Sequence, residues 1–259
     1  MPRFRLLFLL LLLPLLSIPP AIAQKAKSKA QKPRVVIQVP TDPSLIWMVS
    51  VGGRGYDDWA KLSRTKLPKR THPSYPKSGK LRGPKTWLCH SCHGWDYRGK
   101  DGAYGRGPNY TGIKGLRAMR GKDPDDVFSE IRSGVHVFPK KLLPDVVAER
   151  IALFVSQGQY NAEFIIDTNS GRLLKGNKTN GRPHYQNLCA LCHGFDGRVR
   201  NLGTASNPKY IGTIANKDPW AFMHKLRVGQ PGQPMVSLIS MPITVLEDLL
   251  AYAQTLPQK

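Results

Sequence analysis

Two pentapeptides of one type contain all four cysteines of this 259-residue chain. They occupy Cys89–His93 and Cys189–His193, and each reads Cys-x-x-Cys-His. Two thiols three positions apart can add to the two vinyl groups of a haem, and a histidine beside the second thiol can ligate its iron. We therefore predict two covalently bound haem c groups. The predicted attachment cysteines and proximal iron ligands are Cys89, Cys92, His93, Cys189, Cys192 and His193.

Three other chemistries use cysteines in this spacing. The four thiols could form two disulfides, bind zinc or exchange with other thiols. None of these chemistries requires a histidine directly after the second cysteine, and none requires it twice. Both pentapeptides also continue with glycine, an aromatic residue and aspartate, at 94–96 and 194–196. The pattern favours haem over metal or disulfide.

The two motifs belong to an internal repeat. Cys89 matches Cys189 at an offset of 100 residues, and Pro108–Gly112 matches Pro208–Gly212 at the same offset. Further matches follow at slightly smaller offsets, which indicates short loop insertions between the copies. They pair 122–124 with 217–219, 131–134 with 226–229, and 143–144 with 241–242. The repeat predicts two tandem domains.

Each half reads as helices separated by loops. Asp123 and Asp218 each precede a proline, which places a helix-capping residue before the residue best suited to the first helical position. These helices are expected to run to Gly134 and Gly229, where glycine favours termination. A last helix of each half is expected from Pro144 and from Pro242, each with one apolar stripe. No segment reads as a sheet.

Three stretches resemble the bacterial dihaem c-type cytochromes, which are exported electron carriers built from two tandem class I cytochrome domains. The stretches are 87–104, 110–115 and 229–235, and the likeness covers about residues 53–257. The resemblance implies two covalent haems, a mainly helical fold and electron transfer without substrate chemistry. It also implies iron-ligand roles for His93, His193 and Met235. Where the family usually has Met-Pro, this chain has Met235-Val236.

In small cytochromes of this type the second axial ligand comes from a loop before the last helix. In the second half that loop is Gly229–Met235, and it places Met235 42 residues after His193. Met241 is the competing residue. It matches Leu143 at the entry to the last helix, where a methionine more often fills the core. We therefore expect Met235 to be the ligand.

The first half has no methionine in the corresponding loop, Gly134–Pro139. His136 lies 43 residues after His93, which matches the spacing of Met235 to within one residue. We predict His136 as the second iron ligand. A five-coordinate iron is the alternative, and Met119 lies too early in the chain. The other histidines at 72, 184 and 224 are expected to face solvent or haem propionates.

The two ligand sets predict unequal redox potentials. A thioether favours ferrous iron and a second imidazole favours ferric iron, so the His/Met haem should have the higher potential. Electrons are therefore expected to pass from the His/His haem to the His/Met haem.

The N-terminus reads as an export signal. Arg3 and Arg5 precede the apolar run 6–16, and 21–23 is a small-x-small cleavage site, so residues 1–23 are expected to be a cleavable signal peptide. A retained anchor is the alternative. Because haem attaches to Cys-x-x-Cys-His outside the cytoplasm, a bacterial periplasmic location agrees with both signals.

The chain is strongly basic. Its formal net charge is +22, and residues 24–88 contain 15 Lys/Arg against three Asp. Such a surface favours anionic partners, either an acidic redox protein or a peripheral contact with a membrane surface. Export and the absence of a recognition motif argue against nucleic acid as a partner. A solubilising basic tail is the other explanation.

These observations predict a mainly α fold with two tandem cytochrome c-like helical domains and an extended basic N-terminal arm. The predicted segments are a signal peptide at 1–23, a partly disordered arm at 24–52, and domains at 53–160 and 161–259. Apolar residues 45–51 are expected to lie extended, and residues 53–62 to form a short helix.

An electron carrier is the expected function, and enzyme or subunit roles are the alternatives. A dihaem peroxidase shares the ligand pattern, but it generally separates its motifs by more than 100 residues. A sulfur-compound-oxidising enzyme would use a cysteine as an iron ligand, and all four cysteines here are assigned to haem attachment. The chain could also be the cytochrome subunit of a larger oxidoreductase.

Overall fold

A computed structural model describes residues 41–259. The predicted signal peptide and most of the predicted arm lie outside the described residues. The described α-helices, numbered in chain order, are α1 (Leu45–Ser63), α2 (Cys89–His93), α3 (Pro124–Arg132), α4 (Asp145–Gln157), α5 (Lys178–Leu188), α6 (Ala190–His193), α7 (Ile211–Lys217), α8 (Pro219–Val228) and α9 (Ile243–Ala253). Short 3-10 turns lie at Gly83–Trp87, Gly107–Asn109, Arg117–Met119 and Ala162–Phe164. β pairing within 41–259 is limited to two isolated bridges, so the predicted mainly α class is confirmed.

The proline-marked helices form where the sequence predicts them. The Asp123 and Asp218 side chains accept hydrogen bonds from Asp125 N and Ala221 N at the starts of α3 and α8. The last helices begin directly after Pro144 and Pro242. Helix α8 ends before Gly229, which has a positive φ of 85°, whereas α3 already ends at Arg132.

Helix α1 differs from the expected extended arm. Residues 45–51 are helical, and α1 continues to Ser63 with a kink at Asp58. The Ser44 side chain caps the helix by accepting a hydrogen bond from Trp47 N at 3.3 Å. No proline occurs between Ser44 and Leu67 to stop the helix. The prediction of an extended conformation for 45–51 is therefore wrong.

The first and last helices of each half cross at a glycine. Helix α1 packs most extensively against α4, and α5 packs against α9. A Cβ atom at Gly52 would lie 1.8 Å from Arg150 O, and one at Gly181 would lie 1.9 Å from Asp248 O. Only glycine allows the backbones to approach this closely.

The two halves share buried surface. One continuous hydrophobic core includes Tyr56 and Phe154 from the first half and Val228 and Leu250 from the second. Helix α1 also packs against α8. The division of the chain near residue 160 stays a prediction. No described helix is both long enough and apolar enough to span a membrane.

Candidate functional site

The first Cys-x-x-Cys-His motif forms the short helix α2. The Ser91 Oγ atom donates a 2.8 Å hydrogen bond to Lys85 O, which ties α2 to the preceding turn. Gly94 follows the helix with a φ of 76°. Cys89 and Cys92 are free and half-buried, and burial raises the pKa of each thiol to about 12. Because thiol exchange requires a thiolate, this environment does not favour that chemistry.

The His93 and His136 rings lie close together. Their ring centres lie 6.1 Å apart, with 38° between the ring planes. Each Nδ1 atom is 2.8 Å from a backbone carbonyl: Lys114 O for His93 and Glu130 O for His136. Since a carbonyl can only accept, each Nδ1 carries the proton in a neutral ring and leaves Nε2 as a lone-pair donor. Burial lowers the pKa of His93 to about 4, which keeps that ring neutral.

This pair fits two axial ligands of one metal atom. An imidazole nitrogen binds a metal at about 2.0–2.1 Å, so two rings on opposite sides of one atom have centres about 6 Å apart. Metal-binding histidines usually donate their other N–H to a carbonyl or carboxylate, as both rings do here. With the two thiols of the same motif, the donor set suits a covalently attached haem.

The loop that contains His136 is held by a segment earlier in the chain. His72 Nε2 donates to His136 O at 2.8 Å, and His72 Nδ1 accepts from Ser74 N at 3.1 Å. The Ser74 hydroxyl donates to Val135 O. Val137 has a positive φ of 45°, which is strained for a β-branched residue and restricts the loop further. His72 is only 7% exposed, so it does not face solvent, and the alternative that it lies near a haem propionate stays a prediction.

A second buried histidine connects the first motif to the other half of the chain. His90 stacks on Trp95 with ring centres 3.9 Å apart, and Trp95 lies 5.0 Å from His224. His224 is fully buried, with Nδ1 2.8 Å from the Tyr97 hydroxyl and Nε2 2.9 Å from Gly53 O. Burial lowers the pKa of His224 well below its usual value. His224 therefore does not face solvent either, and the alternative of a propionate neighbour stays a prediction.

The second motif lies in a different environment. Cys189 precedes α6, and burial raises its pKa to about 11, while Cys192 is exposed. The Nδ1 atom of His193 is buried without a hydrogen-bond partner. The residue that matches Lys114 is Ile214, which lies in α7 and whose carbonyl already accepts from Asp218 N at 2.9 Å. Nδ1 of His93 therefore has a carbonyl partner, whereas Nδ1 of His193 has none.

Apolar side chains surround the second motif at the protein surface. Their exposed fractions are 42% for Leu188, 94% for Leu191, 70% for Phe195 and 70% for Val199. Contiguous exposed apolar surface is uncommon unless it contacts another molecule or group. These side chains would suit contact with an apolar macrocycle attached to Cys189 and Cys192.

Neither candidate methionine of the second half, Met235 or Met241, is fully buried. Met235 is half-buried, and its carbonyl accepts a 2.9 Å hydrogen bond from Arg54 Nη2. Met241 is 38% exposed just before α9, whereas its counterpart Leu143 is 1% exposed. Met241 therefore does not have the core position expected of it. Met235 as an iron ligand stays a prediction.

Across residues 41–259, no three His, Cys, Asp or Glu side chains come together as a metal-binding cluster. A structural zinc site uses four such ligands, so neither motif resembles one. Comparison with known protein families, curated proteins and solved structures found no match.

Proposed function

We propose that this chain is an exported dihaem c-type cytochrome that acts as an electron-transfer protein. Its two halves would be tandem cytochrome c-like domains, each with one haem. The observation that carries the proposal is the pairing of His93 with His136 beside the free thiols of Cys89 and Cys92. Two imidazoles with ring centres 6.1 Å apart, each with Nδ1 at a backbone carbonyl, suit axial ligation of one iron.

Each residue of the two sites would have a defined role. Cys89 and Cys92 would form the thioether links of the first haem, and Cys189 and Cys192 those of the second. His93 and His193 would be the proximal ligands, with His136 and Met235 opposite them. Each bound haem would supply a one-electron ferric/ferrous couple. The protein would hold the ligands in place and exclude water from the iron.

The hydrogen bonds at Nδ1 of the two proximal histidines support unequal redox potentials for the two haems. The bond from His93 Nδ1 to Lys114 O would make that imidazole a stronger donor to a bound iron and would favour its ferric state. His193 lacks such a bond. This difference acts in the same direction as the ligand difference between His136 and Met235. Electrons would therefore pass from the first haem to the second.

The charge supports an anionic partner. Removal of residues 1–23 takes away Arg3 and Arg5 and no acidic residue, so the formal net charge of +22 becomes +20, which would attract an acidic redox protein over long distances and speed its association. A peripheral contact with an anionic membrane surface would use the same charge. We place the mature protein in the periplasm, where haem attachment to these motifs occurs.

A potentiometric titration of the haem-loaded protein tests this function. We expect two one-electron steps separated by on the order of 0.1 V or more, because axial ligands set haem potentials over a wide range. The lower step should belong to the haem that gives a bis-imidazole spectrum. Two equal high potentials, or a protein without covalent haem, would contradict the proposal.

A further inference from the structure

One arginine of the first half hydrogen-bonds to both ends of the loop that leads to Met235 in the second half. Arg54 lies in α1 and is half-buried. Its Nε atom donates to Val228 O at 2.6 Å, and its Nη2 atom donates to Met235 O at 2.9 Å. Val228 is the last residue of α8, and Met235 follows the loop 229–234. One rigid guanidinium therefore binds both ends of this loop.

The loop is shaped to admit this side chain. Gly229 has a φ of 85°, and a Cβ atom there would lie 2.6 Å from Arg54 Nη2 and 2.7 Å from Met235 O. Any larger residue would displace either the guanidinium or the Met235 carbonyl. A planar, charged group with fixed donors suits two carbonyls at this spacing better than a flexible ammonium would.

Helix α1 also contacts the first site, two residues further along. The Tyr56 hydroxyl donates to Gly94 O at 2.5 Å, and Gly94 directly follows His93. Arg54 and Tyr56 therefore connect the Met235 loop with the backbone beside the first proximal histidine. The position of Met235 depends on a helix that belongs to the other half of the repeat.

We propose that Arg54 is a positioning residue that holds Met235 for axial ligation at the second site. This inference rests on the proposed function, because it takes Met235 as a ligand of haem iron. Arg54 hydrogen-bonds to the carbonyl oxygens of Val228 and Met235. It would act by fixing the backbone on both sides of the loop.

The test compares variants of the oxidised, haem-loaded protein. In Arg54→Ala we expect the thioether-to-iron charge-transfer band to fall several-fold and the second potential to shift, while the bis-imidazole signal of the first haem persists. Arg54→Lys should retain part of the band, because one ammonium can reach one carbonyl. Ser50→Ala is the matched control, since Ser50 Oγ donates only to Val228 O, at 3.2 Å. It should keep the full band.

The outcomes separate this inference from the proposed function. A full band and an unchanged second potential in Arg54→Ala would overturn the positioning role and leave the function standing. A wild-type protein without the band, or a Met235→Ala variant that keeps it, would overturn both the ligand assignment and the inference. If Arg54→Ala does not accumulate, Arg54→Gln and Arg54→Lys give the same comparison.

Discussion

At the scale of single residues, hydrogen bonds to backbone carbonyls indicate which ring nitrogen of a buried histidine carries a proton. Because Gly53 O can only accept, Nε2 of His224 donates to it, and in the neutral ring that burial favours, Nδ1 accepts from the Tyr97 hydroxyl. Burial lowers the pKa of His224, and the nearby Lys225 ammonium adds to the effect. The folded protein therefore disfavours protonation of this ring, while the unfolded chain does not.

This difference predicts a pH dependence of stability. Above the ordinary histidine pKa of 6.5, His224 is neutral in both states and contributes no slope. Below pH 6.5, His224 binds a proton in the unfolded chain but not in the folded protein. This group should therefore lower the free energy of unfolding by about 2 kcal/mol between pH 7 and pH 5. In His224→Gln, urea unfolding across this range should show a shallower loss than in the wild type. Equal slopes for both proteins would contradict the buried neutral assignment.

Some site residues could be predicted from the sequence and others could not. The proximity of His136 to His93 could be predicted because the repeat aligned His136 with Met235 and its residue type can ligate iron. His72 and Arg54 could not, because their partners are backbone carbonyls, which no residue type marks. His224 was misjudged because a lone histidine on a helix has no spacing signal to show that it is buried.

At the scale of elements, two glycines set how closely the paired helices cross. Alanine in place of glycine in a helix usually stabilises it by about 0.5–1 kcal/mol. At Gly52 and Gly181 the added Cβ would instead collide with the carbonyl of Arg150 or Asp248. Backbone atoms of a packed helix cannot move aside as the end of a side chain can.

We therefore predict that Gly52→Ala and Gly181→Ala each lower the free energy of unfolding, by about 1–3 kcal/mol, as overpacked sites do. Val146→Ala is the control on α4, because Val146 is 56% exposed. It should change stability by no more than about 0.5 kcal/mol. Equilibrium urea unfolding measures all three. If either glycine-to-alanine variant were more stable than the wild type, the two helices at that crossing would have to lie further apart than described.

The helices that begin with Asp-Pro or after proline could be predicted because their signals are local. Residues 45–51 could not, since the glycines that follow them disfavour a helix in isolation. Those glycines are tolerated because Gly52 and Gly53 pack against α4 and Val228, contacts distant in sequence. Likewise α7 is helical whereas its repeat counterpart at 111–114 is not, so the repeat alone did not predict both conformations.

At the scale of the whole molecule, the two halves resemble each other in construction and differ at their sites. In each half a tyrosine of the first helix donates to the glycine after the motif, from Tyr56 to Gly94 O and from Tyr185 to Gly194 O. Within residues 41–259, the histidine of the first motif has a nearby imidazole and a carbonyl partner, and that of the second motif has neither. The second has exposed apolar side chains around it. Similar frames with unequal ligand environments agree with the proposed passage of electrons from one site to the other.

The central claim is that one haem iron is held between His93 and His136. The paramagnetic resonance spectrum of the oxidised, haem-loaded protein tests it most directly. We predict one bis-imidazole low-spin signal and one imidazole–thioether signal, and in His136→Ala the loss of the first with retention of the second. A bis-imidazole signal that persists in His136→Ala, or that is absent from the wild type, would contradict the claim.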